Sequence, residues 1–214
     1  MKDLIIIGAG GLGREVLDIA LRIQEQIPDT EWRIKGFITD IPGDFYEKDT
    51  WGYDIIGTIK DHDISENNVY VFAIADVDFK KKITQEFLQR GARFINLIHP
   101  QAMVSRFAYY GVGNIIQRQC GLSANVEIGN FNMINSFTTI GHDARIGNYC
   151  TISSHCDITG YTELGDGVFM GSHAVICPHA KVGEHARIGA GSVVLKRVKA
   201  NTLVMGNPAK KISF

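Results

Sequence analysis

The chain lacks a dominant charge, a long apolar run and paired cysteines. Its 22 Lys and Arg nearly cancel 23 Asp and Glu, leaving a formal net charge of −1. That balance offers no electrostatic grip to nucleic acid or an anionic membrane. No apolar stretch approaches the roughly 18 residues of a spanning helix. Leu4 to Ile7 is far too short for the core of a signal peptide. The expectation is a cytoplasmic protein with neither membrane nor nucleic acid as partner. No CxxC pair occurs among the four cysteines.

Repetition is what the chain has in abundance. From Val104 to Val194 an aliphatic or aromatic residue recurs at every sixth position, through Tyr110, Ile116, Leu122 and onward. A period of six is neither the 3.6 of a helix nor the 2 of a flat strand. Hexapeptide repeats mean a parallel β-helix, with three units to a triangular turn of 18 residues. Sixteen units from 104 to 199 predict a little over five turns. The fifth position of each unit is mostly small, including Cys120, Cys150 and Cys156, so those cysteines read as compact core residues. Asn114 and Asn132 are the exceptions in that column. The second position is often glycine, which suggests corners with tight bends or positive φ. Repeats of this form are known for left-handed coils; the spacing alone leaves the hand open.

Residues 1–100 follow a different grammar. Asp3–Ile7 reads as a buried parallel strand, and Arg14–Gln26 has helical periodicity. Ile34–Thr39, Asn68–Ala75 and Arg93–Ile98 read as further strands, and Phe79–Arg90 as a second helix. Alternating strands and helices predict a small Rossmann-like parallel α/β domain. The predicted fold class is therefore α/β plus all-β, with this domain followed by a left-handed parallel β-helix over 101–205 and a tail over 206–214. Gly8, Gly10 and Gly13 fit G-x-G-x-x-G between a strand and a helix, a pattern that lets backbone approach a phosphate. Asp40 stands where a ribose-binding acid is wanted. About 100 residues is short for a full dinucleotide domain, so a mononucleotide or nucleotide-sugar site fits better. Ile41 to Gly57 reads either as a substrate-facing loop or as an edge hairpin.

A filled prism has no internal cavity, so ligands must bind outside it. Five histidines fall at outward positions: His142, His155, His173, His179 and His185. His142 stands out. Gly160 lies one turn of 18 residues beyond it and leaves an open notch, while Asp143 follows directly and can orient the ring. The pair looks like a general base with its supporting acid. His155 and His173 also stack one turn apart, but no third histidine is in register, so no metal is expected.

These residues together carry a resemblance. The GAGGLG segment, the coil sequence Ile140-Gly-His142-Asp143-Ala-Arg-Ile-Gly147 and the tail Gly206-Asn-Pro208-Ala-Lys210 resemble the sugar acyltransferases of the PglD/NeuD type. The resemblance spans essentially the whole chain. It implies an N-acetyltransferase for a nucleotide-linked 4-amino-4,6-dideoxy sugar in surface glycan biosynthesis. It also implies a homotrimer with sites at subunit interfaces and acetyl-CoA lying along the coil. His142 matches the family's base and Asp143 its supporting acid. Thr151, Gly160, Ser172 and Ala190 match positions that meet acetyl-CoA. Gly10, Gly11, Leu12 and Asp40 match the nucleotide-sugar side. Three positions depart from the pattern. Thr151 replaces a second histidine, Gly11-Leu12-Gly13 stands where GHG is common, and Thr39-Asp40 stands where two acids often follow.

The expected chemistry is direct attack of a sugar amine on the thioester, with His142 taking the proton. The basic residues Lys196, Arg197, Lys199, Lys210 and Lys211 could meet the phosphates of CoA. An O-acetyltransferase would share every residue named. A zinc hydratase is disfavoured by the missing third histidine, and an NAD oxidoreductase by the domain size. A non-catalytic scaffold leaves His142-Asp143 beside its notch unexplained.

Overall fold

Leu4, Ile5, Ile6 and Ile7 are all buried, because strand β1 (Lys2–Ile7) is central in its sheet and a parallel strand covered on both faces has no polar side to show. The computed structural model describes residues 1–41 and 52–212. The chain divides into two compact units, Met1–Pro100 and Gln101–Phe214. No helix among the described residues is long and apolar enough to cross a membrane.

In the first unit β1 leads through the glycine loop into α1 (Gly11–Gln26), then to β2 (Trp32–Ile38), β3 (Ile55–Gly57) and β4 (Asn68–Phe72). Helix α2 (Val77–Gln89) and the short β5 (Leu97–Ile98) follow. The four-stranded sheet is parallel with order β3-β2-β1-β4. Several boundaries differ from the sequence reading. Helix α1 starts three residues earlier, inside the glycine loop. β4 ends at Phe72, because Ala73 to Ala75 turn out toward α2, whose N-cap Asp76 accepts from the Phe79 amide at 2.7 Å. β3 pairs parallel with β2, so it is an edge strand and not half of a hairpin with it. Residues 42–51 of the aromatic segment lie outside the described residues.

A half-buried histidine in this unit gives a pH dependence. His62 Nε2 lies 3.1 Å from the hydroxyl of fully buried Tyr70, and its ring stacks on Phe87 at 6.3 Å. Burial, aided by the Arg90 charge and opposed by Asp63, holds its imidazole below the ordinary value. The unfolded chain therefore binds the proton more readily. The stability from the neutral ring is complete above the unfolded value of about 6.5 and is lost as pH falls through it toward the lower folded value. Urea unfolding at about pH 7.5 and about pH 5.5 should show this loss, and His62→Gln should make the decline shallower. An equal decline in both proteins removes His62 as a cause.

The second unit is a parallel β-helix of two-residue strands in three sheets. Successive turns pair residue on residue, as Ile134 with Ile152 and Ile140 with Ile158. The sixth-residue series is buried from Ile116 to Val194, whereas Tyr110, in the first turn, is 40% exposed. Cys120, Cys150 and Cys156 are buried and form no disulfide among the described residues, and burial pushes the thiols of Cys120 and Cys156 up to about 11. The last turns tighten: Lys181 pairs with Arg197 and Arg187 with Leu203, where earlier turns pair residues 18 apart. The tail closes this end, with Lys210–Lys211 antiparallel to Leu203–Met205.

The corners differ from the sequence reading. None of the second-position glycines has positive φ. Instead, every non-glycine fourth-position residue from Gln119 to His185 has φ between 54° and 63°. The second-position glycines answer to close approach. A Cβ on Gly141 would lie 2.6 Å from the Gly160 nitrogen, and one on Gly171 would lie 2.6 Å from the Ala190 nitrogen. Side chains at fourth positions thus stand out from the corner in columns, one per turn.

Candidate active site

Three faces and three corners organise the coil. The first face carries Gly121, Thr139, Asp157 and Val175 outward, the second Glu127, Arg145, Glu163 and Lys181, the third Ile115, Met133, Thr151 and Phe169. His142, Asp143 and Gly160 share the corner between the first and second faces. His142 Nδ1 lies 2.8 Å from Asp143 Oδ2. The positive φ of Asp143, 58°, lets the neighbouring side chains close this short contact. Asn125, one turn earlier, donates to Asp143 Oδ1 at 3.3 Å. The hydrogen bond from His142, with help from Asn125 and Arg145, holds the Asp143 carboxyl below its usual range. The ionised form of Asp143 is thereby favoured, and a carboxylate in this place can accept from an Nδ1–H.

Gly160 makes the notch expected from the 18-residue spacing. A Cβ there would sit 3.0 Å from His142 Cε1 and Nε2. The free face of the ring is thus open because this residue has no side chain. The imidazole is more than half exposed.

Within one chain the remaining coil candidates lie elsewhere. Ser172 and Ala190 stack in one column at the corner between the third and first faces. Thr151 projects from the third face, opposite the His142 corner. Its Oγ1 is buried and has no hydrogen-bond partner among the described residues. A buried orphan hydroxyl costs free energy unless something meets it. His155 and His173 stack at 4.8 Å with Phe137 at the Ser172 corner. Among the described residues no group of three His, Cys, Asp or Glu side chains could hold a metal ion.

In the first unit Gly8, Gly10 and Gly13 divide their labour. Gly8 has φ of 99°, and a Cβ there would lie 2.9 Å from the Ala73 carbonyl; one on Gly13 would strike the Gly8 carbonyl. Gly11 has open space around its Cα. Gly10 caps α1, whose first turn holds no acidic residue, so the amides of Gly11, Leu12 and Gly13 remain available to an anion. Asp40 follows β2, and its Oδ1 accepts from the amides of Ile59 at 2.7 Å and Lys60 at 3.2 Å. That oxygen ties down the loop after β3. The strand order places the switch point between β1 and β4, so Ile74 to Asp76 face the same crevice as the glycine loop. Sequence reasoning missed this segment, because strand order is not written in a single strand's pattern.

Residues 3–87 match the PglD N-terminal domain, and residues 114–160 and 161–196 match the bacterial transferase hexapeptide of six repeats. The chain thus joins a PglD-type N-terminal domain to bacterial transferase hexapeptide repeats. The acetyltransferase domain of PglB from Neisseria gonorrhoeae FA1090, solved with acetyl coenzyme A, is 26% identical, covers 99% of each chain and has a TM-score of 0.88. PerB from Caulobacter crescentus, solved with CoA and GDP-perosamine, is 23% identical, covers 100% of this chain and 98% of its own, and has a TM-score of 0.83. At that identity the likeness is one of fold. The uncharacterized protein L142 of Acanthamoeba polyphaga mimivirus is 29% identical over 130 residues, which is 60% of this chain. The chain spans about a quarter of that relative's length, as the match covers 24% of it. Against this family background the sequence also missed Asn125 and Tyr161. Both lie in the Asp143 column at multiples of 18 residues, so the period contained the signal.

Proposed function

We propose that this PglD-type chain transfers acetyl from acetyl-CoA to the amine of a nucleotide-linked 4-amino-4,6-dideoxy sugar, in surface glycan biosynthesis. The observation that carries this reading is the His142–Asp143 pair beside the notch at Gly160. Nε2 takes a proton from the amine as its nitrogen bonds to the thioester carbonyl carbon. The tetrahedral intermediate collapses, the C–S bond breaks, and the thiolate leaves as CoA. A thiol pKa near 8.5 makes that departure easy, so little acid help is needed. Backbone amides at the corner are the candidate oxyanion donors. The PglB likeness, solved with acetyl coenzyme A, supports the donor. GDP-perosamine in PerB supports an amino sugar nucleotide as acceptor class.

A homotrimer follows from the same reading. Thr151, Ser172 and Ala190 lie away from the His142 corner in one chain. A second copy that sets its third face and the adjoining corner against His142 would gather both groups. The orphan Thr151 hydroxyl then has a partner in the acyl donor. The glycine loop and the open α1 amides receive the nucleotide phosphates. At the closed end of the coil Lys196, Arg197, Lys199 and Lys211 line a cavity of about 470 Å³, which suits the phosphates of CoA.

A panel of UDP-, dTDP- and GDP-linked amino sugars, assayed with acetyl-CoA for thiol release, tests the reading. At least one amino sugar should release CoA about 100-fold faster than its hydroxyl counterpart, since the thioester prefers the stronger nucleophile when the base is placed for it. Release with hydroxyl sugars alone moves the chain to O-acetylation. Silence across the panel removes the function.

A further inference from the structure

Asp143, Tyr161 and His179 stand one turn apart in one column, with φ of 58°, 59° and 63°. The backbone ties them in register. The Tyr161 amide donates to the His142 carbonyl at 3.1 Å, and the His179 amide donates to the Gly160 carbonyl at 3.2 Å. The Tyr161 ring lies 5.0 Å from the His142 ring at an interplanar angle of 88°, an edge-to-face contact. The His179 ring stacks on Tyr161 at 4.9 Å and 2°. His142 is therefore held on two sides. Asp143 fixes Nδ1, and the Tyr161 ring, braced by His179, limits swing of the imidazole across the open notch. Gly160, with no side chain, contributes no such restraint.

We propose that Tyr161 is a positioning residue for His142, acting through its ring and not its hydroxyl. The inference rests on the acyl-transfer reading for its kinetic consequence only; the geometry stands without it. An imidazole freed to rotate loses its bond to Asp143 for part of the time and admits the other tautomer. Nε2 then carries the proton and cannot accept one.

The test compares Tyr161→Asn and Tyr161→Phe with the parent protein. Asparagine is well suited to positive φ, so the first variant keeps the corner while deleting the ring. Nitrogen chemical shifts of the His142 imidazole report its tautomer without any substrate. The parent and Tyr161→Phe should show the Nδ1–H tautomer, and Tyr161→Asn a mixture. With a working acceptor, kcat should fall about 3- to 10-fold in Tyr161→Asn at nearly unchanged KM, the range set by one aromatic pair, and Tyr161→Phe should restore it. Unchanged tautomer in Tyr161→Asn overturns the proposal. So does a Tyr161→Phe variant as impaired as Tyr161→Asn, which would assign the work to the hydroxyl. If the parent transfers no acetyl to any acceptor, the function fails, yet the tautomer still decides the role of Tyr161.

Discussion

Replacing His142 by alanine should lower acetyl transfer by about two to four orders of magnitude, the usual contribution of a placed general base. The expectation follows from three features of one corner. The ring's Nδ1 is committed to Asp143 at 2.8 Å, its Nε2 faces the space left by Gly160, and the side chain is well exposed. The substitution removes an outward side chain that packs on no core residue, so unfolding free energy should stay within about 0.5 kcal/mol, as for surface changes generally. Acceptor KM should change little, because the base acts in the transition state and not in ground-state binding. Thiol release measured at saturating acetyl-CoA decides it. Activity within a fewfold of the parent sinks the general-base role.

The six-residue period made the coil and its inward cysteines legible, since side-chain direction is what a period encodes. It could not place backbone torsions. The fourth position carries the positive φ, and it is filled by Gln, Asn, Asp, Phe, Tyr, His and Gly, whereas the glycine pattern points to position two. The glycines at position two record a different constraint, the closeness of the next turn's backbone. Column arithmetic found His142, Asp143 and Gly160. The same arithmetic contained Tyr161 and Asn125, but a tyrosine at a corner carries no chemical signal until its ring is seen against the imidazole. In the first unit the strong apolar runs marked β1 and β4, while β3 stayed hidden because its three residues are too few to show alternation. Asp40 was legible as an acid at a strand end. Its hold on the Ile59 and Lys60 amides was not, as those partners lie about twenty residues away.

Asn132→Ala should cost about 2–4 kcal/mol of unfolding free energy, from broken buried hydrogen bonds plus a small cavity. Asparagine interrupts the small inward column twice, at Asn114 and Asn132, and both are buried. A polar side chain inside a filled prism must find partners within it. Asn132 does so along the coil axis. Its amide nitrogen and Nδ2 donate to Asn114 Oδ1 at 2.9 Å and 3.0 Å, and its Oδ1 accepts from the Cys150 amide at 2.7 Å. Asn114 Nδ2 donates in turn to the Gly129 carbonyl at 2.9 Å. Three turns are thus joined by side-chain amides in low dielectric, where each bond is strong and each lost partner is costly. Truncating Asn132 removes the Nδ2 donor and the Oδ1 acceptor at once, while its backbone amide still donates to Asn114 Oδ1. Thr138→Ala, in the same inward column, removes a hydroxyl that donates to the Ser153 carbonyl at 3.1 Å and should cost only about 1 kcal/mol. The double variant Asn114→Ala, Asn132→Ala should cost less than the sum of its parts, because the second deletion removes groups that the first had already deprived of a partner. Urea unfolding of the parent, Asn114→Ala, Asn132→Ala, the double variant and Thr138→Ala measures all of this. A loss below about 1 kcal/mol for Asn132→Ala, or strict additivity in the pair, means the ladder adds nothing net to the coil.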